Sequence, residues 1–228
     1  MDNIKDLFYK PVRIKHDDND ILMWGCTHYD HACEKWDTPL YKKRGYEDLQ
    51  KHNNAIINNW NSKASDTTIG FLLGDIMFGV GGKEKFEKFI NNLIFDKLYV
   101  MAGNHFAGWK QSFESIEGNT AIIGNKTIIF VPNYLELIIN GQPIVTSHYP
   151  ILSWNGMGKG SWMIHSHVHG TLEYSEIGKL YKRSNLKVYE VSVESNEYPA
   201  SLYDIKKFME KQGGGSVDHH DIHTKNPF

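Results

Sequence analysis

The stretch Thr67–Asp75, TTIGFLLGD, carries the pattern that organises the rest of the chain. Its apolar run, Phe71-Leu72-Leu73, stops at Gly74, and an acidic residue, Asp75, follows directly. Short apolar runs that end at a glycine are typical of buried strands. We therefore predict a strand over Thr67–Leu73, with Asp75 in the loop at its end.

The same pattern recurs on both sides of this stretch. Further strands are predicted over Ile21–Trp24 and Lys97–Met101, each of which is followed closely by a glycine. Apolar residues at helical spacing predict amphipathic helices over Tyr46–Trp60 and Lys83–Leu93, with a flexible loop over Gly79–Gly82 before the second. This alternation of strands and helices favours parallel pairing in the first half of the chain.

The second half of the chain is richer in short strands. The turn pair Asn140-Gly141 predicts a hairpin, and a closing helix is predicted over Ser201–Glu210, with Ser201 at its cap. The predicted strands are Thr127–Val131, Tyr134–Ile139, Gln142–Ser147, Trp162–His167 and Leu186–Val193. We expect one α/β domain over residues 1–211, with mixed sheets, and a flexible Gly/His-rich tail over residues 212–228.

Bulk properties exclude several classes of protein. A length of 228 residues fits one domain. A formal net charge of −2 gives no overall positive electrostatic potential that would attract nucleic acid. No apolar run approaches the ~20 residues needed to cross a bilayer, and Met1–Asp6 lacks the features of a signal peptide. The cysteines are Cys26 and Cys33, and a reducing cytoplasm is predicted in preference to a disulfide between them.

Residue types that bind metals stand where the apolar runs give way to loops. Side chains two apart in an extended segment share one face, so one strand end can aim two imidazoles at one point. Imidazole, carboxylate and amide ligands together suit divalent transition metals. The residues concerned are Cys26, His28, Asp75, Asn104, His105, His148, His167 and His169.

In order and spacing these motifs resemble those of the calcineurin-like metallophosphoesterases, of the small phage and bacterial type. The resemblance covers roughly residues 20 to 210, and several ordered motifs are far more specific than one. The matching stretches are Cys26-Thr27-His28, Leu73-Gly74-Asp75, Gly103-Asn104-His105, Ser147-His148 and His167-Val168-His169. The resemblance implies a four-layer α/β/β/α sandwich in the cytoplasm of a bacterium or a phage-infected host cell.

The resemblance also implies an enzyme that hydrolyses phosphomonoesters or phosphodiesters with a hydroxide activated by two divalent metals, which would be Mn, Zn, Fe or Ni. The substrate would be a phosphoester, including a nucleotide or a nucleic acid, and no membrane partner is expected. Asp75 would bridge the metals and His105 would act as general acid. The other ligands would be His28, His169 and Cys26 on one metal, and Asn104, His148 and His167 on the other.

Other positions have two interpretations each. His31 is interpreted either as a residue that contacts phosphate or as one that supports a ligand. Arg44 could bind a phosphate through two parallel N–H hydrogen bonds, or it could lie solvated at the surface. Asp30 could replace a missing carboxylate, and His165 is expected to be structural.

Three positions depart from the family pattern. Cys26 stands where the family has an aspartate, Phe106 where it has an acid, and Ser166 where it has a glycine. Cys26 could be a thiolate ligand or an inert small side chain. These departures motivate an alternative: a catalytically impaired relative that binds a phosphate or a nucleotide as a regulatory module.

Overall fold

The computed structural model describes residues 10–32, 38–77, 82–105, 119–215 and 217. The helices of this part of the chain are α1 (Leu40–Lys43), α2 (Leu49–Asn61), α3 (Gly82–Asn92), α4 (Glu176–Arg183) and α5 (Leu202–Met209). The strands are β1 (Val12–Ile14), β2 (Ile21–Trp24), β3 (Ile69–Leu73), β4 (Lys97–Met101), β5 (Thr120–Ile123), β6 (Lys126–Val131), β7 (Tyr134–Ile139), β8 (Gln142–Ser147), β9 (Trp162–His165), β10 (Val188–Glu190) and β11 (Ala200–Ser201).

The strands form two sheets that are mostly parallel. The six-stranded sheet has the order β11-β2-β3-β4-β6-β5, and its inner pairs from β2 to β6 are parallel. The five-stranded sheet has the order β1-β7-β8-β9-β10, in which the β7–β8 hairpin is the antiparallel pair. The hairpin turns at Asn140 and Gly141, which both have positive φ, as a tight hairpin turn requires. The predicted α/β fold with a partly antiparallel second sheet is confirmed.

Apolar side chains bind the two sheets together. Successive residues of a strand face opposite sides, so Met23 and Phe71 point inward and pack with Leu137 and Ile164 of the other sheet in one buried cluster. Outside the six-stranded sheet, α2 and α3 cover a second cluster that includes Trp60. Outside the five-stranded sheet, α4 covers a third. Helices therefore flank both sheets.

Gly70 shows why a glycine interrupts the apolar run of β3. A Cβ atom on Gly70 would lie 2.7 Å from the ring of Trp60, which is fully buried and donates from Nε1 to the Ile94 carbonyl at 2.9 Å. The missing side chain lets α2 approach the sheet closely. That approach fixes the position of the strand whose end carries Asp75.

Several boundaries differ from the sequence prediction. The helix predicted from Tyr46 begins at Leu49, because the Asp48 side chain accepts a hydrogen bond from the Lys51 N–H and caps it there. The strand predicted to end at His167 stops at His165, and Leu186–Val193 contains only the short strand β10. Ser201 caps the closing helix as predicted. No helix in the described part of the chain combines the length and the apolar character that crossing a membrane requires.

Candidate metal centre

The carboxyl ends of strands from both sheets meet at one edge of the molecule, and the loops that follow them hold the predicted ligands. Parallel neighbours end on the same side of a sheet, which is where open α/β sheets bind ligands. Cys26 follows β2, Asp75 follows β3, Asn104 follows β4, His148 follows β8 and His167 follows β9.

The backbone at this edge adopts a conformation that most residues avoid. Positive φ angles are found at Cys26 (53°), His28 (48°), Asp75 (49°), His167 (70°) and His169 (50°). Each costs of order 1 kcal/mol for a residue with a side chain. The surrounding chain compensates, for example through the Cys26 N–H to the Gly74 carbonyl at 3.0 Å. Conformations of this kind cluster at functional sites.

The first group of candidate ligands contains Cys26, His28 and His169, whose ligand atoms all lie within 4.8 Å of one another. Nε2 of His28 faces Nε2 of His169 at 3.2 Å. Nδ1 of His169 donates to the Glu194 carboxylate at 2.7 Å, which orients the ring so that Nε2 faces His28. Burial, followed by the nearby charge of Arg44, holds the pKa of His28 well below its ordinary value. His28 is therefore neutral, as metal binding requires.

The second group centres on Nε2 of His148, a fully buried residue. Asn104 Oδ1 lies 2.8 Å from this nitrogen, His167 Nδ1 lies 3.1 Å away, and Asp75 Oδ2 lies 3.4 Å away. Nδ1 of His148 lies 3.1 Å from the Leu73 carbonyl, to which it can only donate. Nε2 then faces the Asn104 and Asp75 oxygens, which a proton on this nitrogen or a metal ion among these atoms would offset. Imidazole, amide and carboxylate together are a ligand set that fits a divalent metal.

Asp75 is held in place for this role. Its Oδ1 accepts a hydrogen bond from the His105 backbone N–H at 2.9 Å, and the residue is 2% exposed. Burial raises the pKa of Asp75, but the hydrogen bond and charge of His148, with the contacts to His105, outweigh burial and hold the pKa below its ordinary value. The carboxylate is thus ionised across the physiological range.

Cys26 lies between the two groups. Together with Asp75 and His148 it forms a second set of ligand atoms within 4.8 Å of one another, so among the described residues Cys26 is common to both groups. The resemblance instead implies that Asp75 is the residue shared between the two metals. Sγ of Cys26 accepts a hydrogen bond from the His167 N–H at 3.1 Å. Burial, then the charge of Asp75, raises the pKa of the thiol to about 12, so a bound metal must displace its proton.

His105 and His31 lie beside these ligands. Nε2 of His105 is 3.8 Å from Oδ2 of Asp75, and its side chain is 33% exposed. The His31 ring stacks on His28 with the ring centroids 5.1 Å apart. The predicted general acid and one predicted substrate contact are therefore brought to the site. The carboxylate of Asp30, which was considered as a replacement ligand, forms an ion pair with Lys85 at 2.5 Å instead.

Arg44 supports the site from behind, which corrects its predicted role in substrate binding. Nη1 contacts the Thr27 carbonyl and His52 Nε2, both at 2.9 Å, and Nη2 donates to the Cys26 carbonyl at 2.6 Å. Nε and Nη2 also bind Glu194 at 3.0 and 2.8 Å. Together these contacts occupy all the N–H donors of the guanidinium. None is left for a phosphate, and Arg44 instead holds the loop that carries Cys26 and His28.

Sequence reasoning missed Glu194. This residue links Arg44 to Nδ1 of His169 and so fixes the ring of a candidate ligand. One signal was present, because Glu194 directly follows the apolar stretch Val191-Ser192-Val193, much as Asp75 follows β3. Its partners lie far away in sequence, and no local pattern indicates them.

We expect Glu194→Gln to weaken metal binding by about 10–100-fold, the usual effect of losing a carboxylate behind a histidine ligand. The variant keeps an oxygen for His169 but loses the charge that neutralises Arg44. A competition titration with a chromophoric chelator measures the affinity. Glu197→Gln removes an exposed carboxylate nearby and serves as the matched control. Equal affinities in the two variants would contradict this role.

Ser166 is accommodated by Gly25. Its hydroxyl donates to the Leu73 carbonyl and lies 3.1 Å from Nδ1 of His148. A Cβ atom on Gly25 would lie 2.6 Å from the Cβ of Ser166. The two positions are therefore sterically complementary, and Ser166 helps to orient His148, a candidate ligand.

Gly25→Ala is expected to lower the free energy of unfolding by about 1–3 kcal/mol, because the new methyl group overpacks a buried contact. Adding Ser166→Gly removes the clash, so the double variant should be more stable than Gly25→Ala alone. Urea denaturation of the single and double variants measures the coupling. Strictly additive effects would show that the two positions do not interact.

The metal-free protein is expected to lose stability as the pH falls below about 6.5. Burial, then Arg44, lowers the pKa of His52 to about 4, whereas the unfolded residue titrates near the ordinary value of 6.5. The unfolded chain binds more protons between these values, so stability rises with pH there. His52 alone should contribute a loss of about 2 kcal/mol between pH 7 and pH 5.

Urea titrations in EDTA at several pH values would show this loss, and His52→Gln should reduce the slope. Burial also lowers the pKa of His28, His31, His165 and His167, which adds to the effect. A free energy of unfolding that stays constant from pH 7 to pH 5 would contradict the neutral state of these histidines.

Some predicted positions lie outside the described residues. These are Phe106, Cys33, most of the loop predicted over Gly79–Gly82, and most of the tail predicted over residues 212–228.

The chain is similar to proteins that are described as uncharacterized or of unknown function. No protein-family model matches the chain. An uncharacterized protein of Methanocaldococcus jannaschii, MJ1445, is 27% identical over 188 residues, which cover 81% of this chain and 88% of that protein. The crystal structure of AQ665, a protein of unknown function from Aquifex aeolicus, superposes with a TM-score of 0.57 at 18% identity, covering 82% of this chain and 98% of that one. The comparisons thus support the mixed α/β fold.

Proposed function

We propose that this chain is a metal-dependent phosphoesterase related to the calcineurin-like metallophosphoesterases. The observation that carries the proposal is the convergence of imidazole nitrogens with amide and carboxylate oxygens at the strand ends. Nε2 of His148 faces Asn104 Oδ1 at 2.8 Å and Asp75 Oδ2 at 3.4 Å, beside the His28–His169 pair at 3.2 Å. Mixed nitrogen and oxygen ligands of this kind suit divalent transition metals.

The fold is consistent with this proposal. Buried side chains of both sheets form one cluster between them, while helices cover separate clusters on the outer faces. We assign this arrangement to the four-layer α/β/β/α sandwich that the sequence resemblance implies.

Two metals are proposed. His28, His169 and Cys26 would hold one, and Asn104, His148 and His167 the other, with Asp75 shared. Divalent metals at this position would supply Lewis acidity, which generates hydroxide near neutral pH and offsets charge on the phosphoryl oxygens. Thiolate and imidazole ligands favour zinc or iron over manganese at the Cys26 side, and nickel also accepts imidazole.

His105 is proposed as the general acid. Its ring lies next to the ligands, 3.8 Å from the Asp75 carboxylate and 5.3 Å from the His28 ring centroid, and is partly exposed to incoming substrate. In this position Nε2 can give a proton to the leaving oxygen as the P–O bond breaks. The His105 backbone N–H meanwhile keeps Asp75 oriented. His105 would therefore serve twice, with its side chain as the proton donor and with its backbone N–H as the donor that orients Asp75.

His31 is proposed to orient the phosphoryl group. Burial, then the charge of His105, lowers the pKa of His31 to about 4, so the ring is neutral. A neutral imidazole can donate one hydrogen bond to a phosphoryl oxygen without a fixed charge. The net charge of −2 favours small phosphoesters or nucleotides as substrates over duplex nucleic acid.

The assay for this function uses p-nitrophenyl phosphate and its bis ester with protein stripped of metal. Mn²⁺, Zn²⁺, Fe²⁺ and Ni²⁺ are then added back separately. We expect turnover that depends on metal and saturates with substrate. Hydrolysis that is absent with every metal, in protein shown to bind two ions per chain, would count against the enzyme.

A second candidate function is a phosphate- or nucleotide-binding module without catalysis. The observation that favours it is the raised pKa of Cys26, about 12, which leaves a protonated thiol where an aspartate would carry charge. This alternative expects one metal or none per chain, with binding of inorganic phosphate but no cleavage of esters. Metal content and phosphate binding together discriminate the two candidates.

A further inference from the structure

The loop that follows β8 places an exposed aromatic ring against the candidate metal centre. Tyr149 comes directly after His148 and is 38% exposed. Its ring centroid lies 4.8 Å from that of His148 and 4.5 Å from that of His167, at interplanar angles of 68° and 65°. Both histidines are proposed ligands of the same metal. Tyr149 therefore touches the ligands of that metal and is also accessible to a substrate.

Two contacts fix the loop that carries this ring. The Tyr181 hydroxyl donates to the Ile151 carbonyl at 2.6 Å, which ties the loop to α4. The buried Trp154 donates from Nε1 to the Ser161 carbonyl at 3.2 Å. A surface that is held in place before a ligand arrives loses little conformational freedom on binding. Tyr149 is therefore preorganised for contact with a substrate.

The ring complements the polar part of the site. The proposed ligands and His105 account for recognition of a phosphoryl group, but they offer little to the organic substituent that an ester carries. Tyr149 and Leu152, which is also exposed, add apolar surface in the loop after β8. Ligand sites combine apolar and aromatic surface with a few convergent polar groups in this way. An aromatic ring binds other flat rings by offset-stacked or edge-to-face contact.

We propose that Tyr149 determines substrate specificity by stacking on a flat aromatic group, an aryl ring or a nucleobase, that is attached to the phosphoryl group. The inference rests on the proposed phosphoesterase function and deepens it, because it names the class of ester that the site prefers. The phosphoryl group binds among the metal ligands, and the aromatic group lies against Tyr149. The contact buries apolar surface of both rings and requires no charge on either.

The test is calorimetric binding of phenylphosphonate and methylphosphonate to the zinc-loaded full chain. Neither probe has an ester bond, so binding is measured whether or not the protein is catalytically active. We expect phenylphosphonate to bind at least about fivefold more tightly, the size of effect that a stacked ring pair produces. Equal affinities would overturn the role of Tyr149 and leave the phosphoesterase proposal standing. Binding of neither probe would overturn both.

A second pair of probes identifies the ring. The phosphonate analogue of adenosine 5′-phosphate is compared with that of ribose 5-phosphate, which lacks the base. Tighter binding of the adenosine analogue by about fivefold or more would identify a nucleobase as the stacked ring. Equal binding of this pair, with phenylphosphonate still preferred over methylphosphonate, would identify an aryl ester instead.

Variants locate the contact. Tyr149→Ala should abolish the preference for phenylphosphonate and leave the affinity for methylphosphonate within about twofold, whereas Tyr149→Phe keeps the ring and should keep the preference. Tyr203→Ala is the matched control, because Tyr203 is 44% exposed on α5, which packs against Asp18–Asp20 at the opposite end of β2. An unchanged preference in Tyr149→Ala would overturn the proposal. An equal loss of affinity for both probes would also overturn it, because the ring would then only support the ligands.

Discussion

Asp75→Asn is expected to reduce metal-dependent phosphoester hydrolysis by about 10³-fold or more, because it removes the negative charge that the two proposed metals would share. The asparagine can still accept the His105 N–H through its oxygen. Asparagine also tolerates the positive φ of 49° at this position, so the variant should fold. The measurements are the kcat/KM for p-nitrophenyl phosphate and the number of metals bound per chain.

Asp30→Asn is the matched control. Asp30 also has a positive φ, 59°, and lies in the loop that carries His28, but its carboxylate pairs with Lys85. We expect the control to retain activity within about threefold, as surface charge changes usually do. If Asp75→Asn retained wild-type activity while Asp30→Asn lost it, Asp30 would be the working carboxylate and the assignment would be wrong.

Replacing Cys26 should have the second largest effect. Cys26→Ser keeps a small side chain that can accept the His167 N–H, but a hydroxyl is a far weaker ligand for soft metals. We expect the affinity of one of the two proposed metal sites to fall by about 100-fold or more. Losing a ligand should cost at least as much affinity as losing a residue that supports one. In cobalt-loaded protein the thiolate-to-cobalt charge-transfer absorption should be present in the wild type and absent from Cys26→Ser.

Cys26→Asp introduces the aspartate that the metallophosphoesterases, which the sequence resembles, have at this position, and it separates the two candidate functions. If the thiolate is a working ligand, Cys26→Asp should not exceed the wild-type rate, because the wild-type site then already has a charged ligand at this position. A large gain of activity in Cys26→Asp, with no charge-transfer band in the wild type, would favour the impaired binding module.

The strand ends could be predicted from the sequence because their signal is local. Apolar runs that stop at a glycine placed β2, β3 and β4 within two residues, and the residues after them reach one edge of the sheet as parallel pairing requires. The convergence of His28 with His169, and of His148 with Asn104, follows from that topology. The metals themselves remain a prediction.

The supporting network could not be predicted, because it depends on contacts between distant segments. Glu194 and Arg44 are 150 positions apart, and an arginine that binds a carboxylate looks the same in sequence as one that binds phosphate. The short helix α4 was also missed, although Ser175 caps it. Its apolar residues are too few for a clear helical period.

Crystals grown with zinc or manganese, with anomalous data collected at the metal edge, test the central claim most directly. The account predicts two peaks per chain on either side of the Asp75 carboxylate, one against His28 and His169 and the other against His148 and Asn104. Cys26 should contact at least one of them. No peak at this edge of the sheets, or a carboxylate of Asp75 that contacts neither ion, would contradict the assignment of a metal centre.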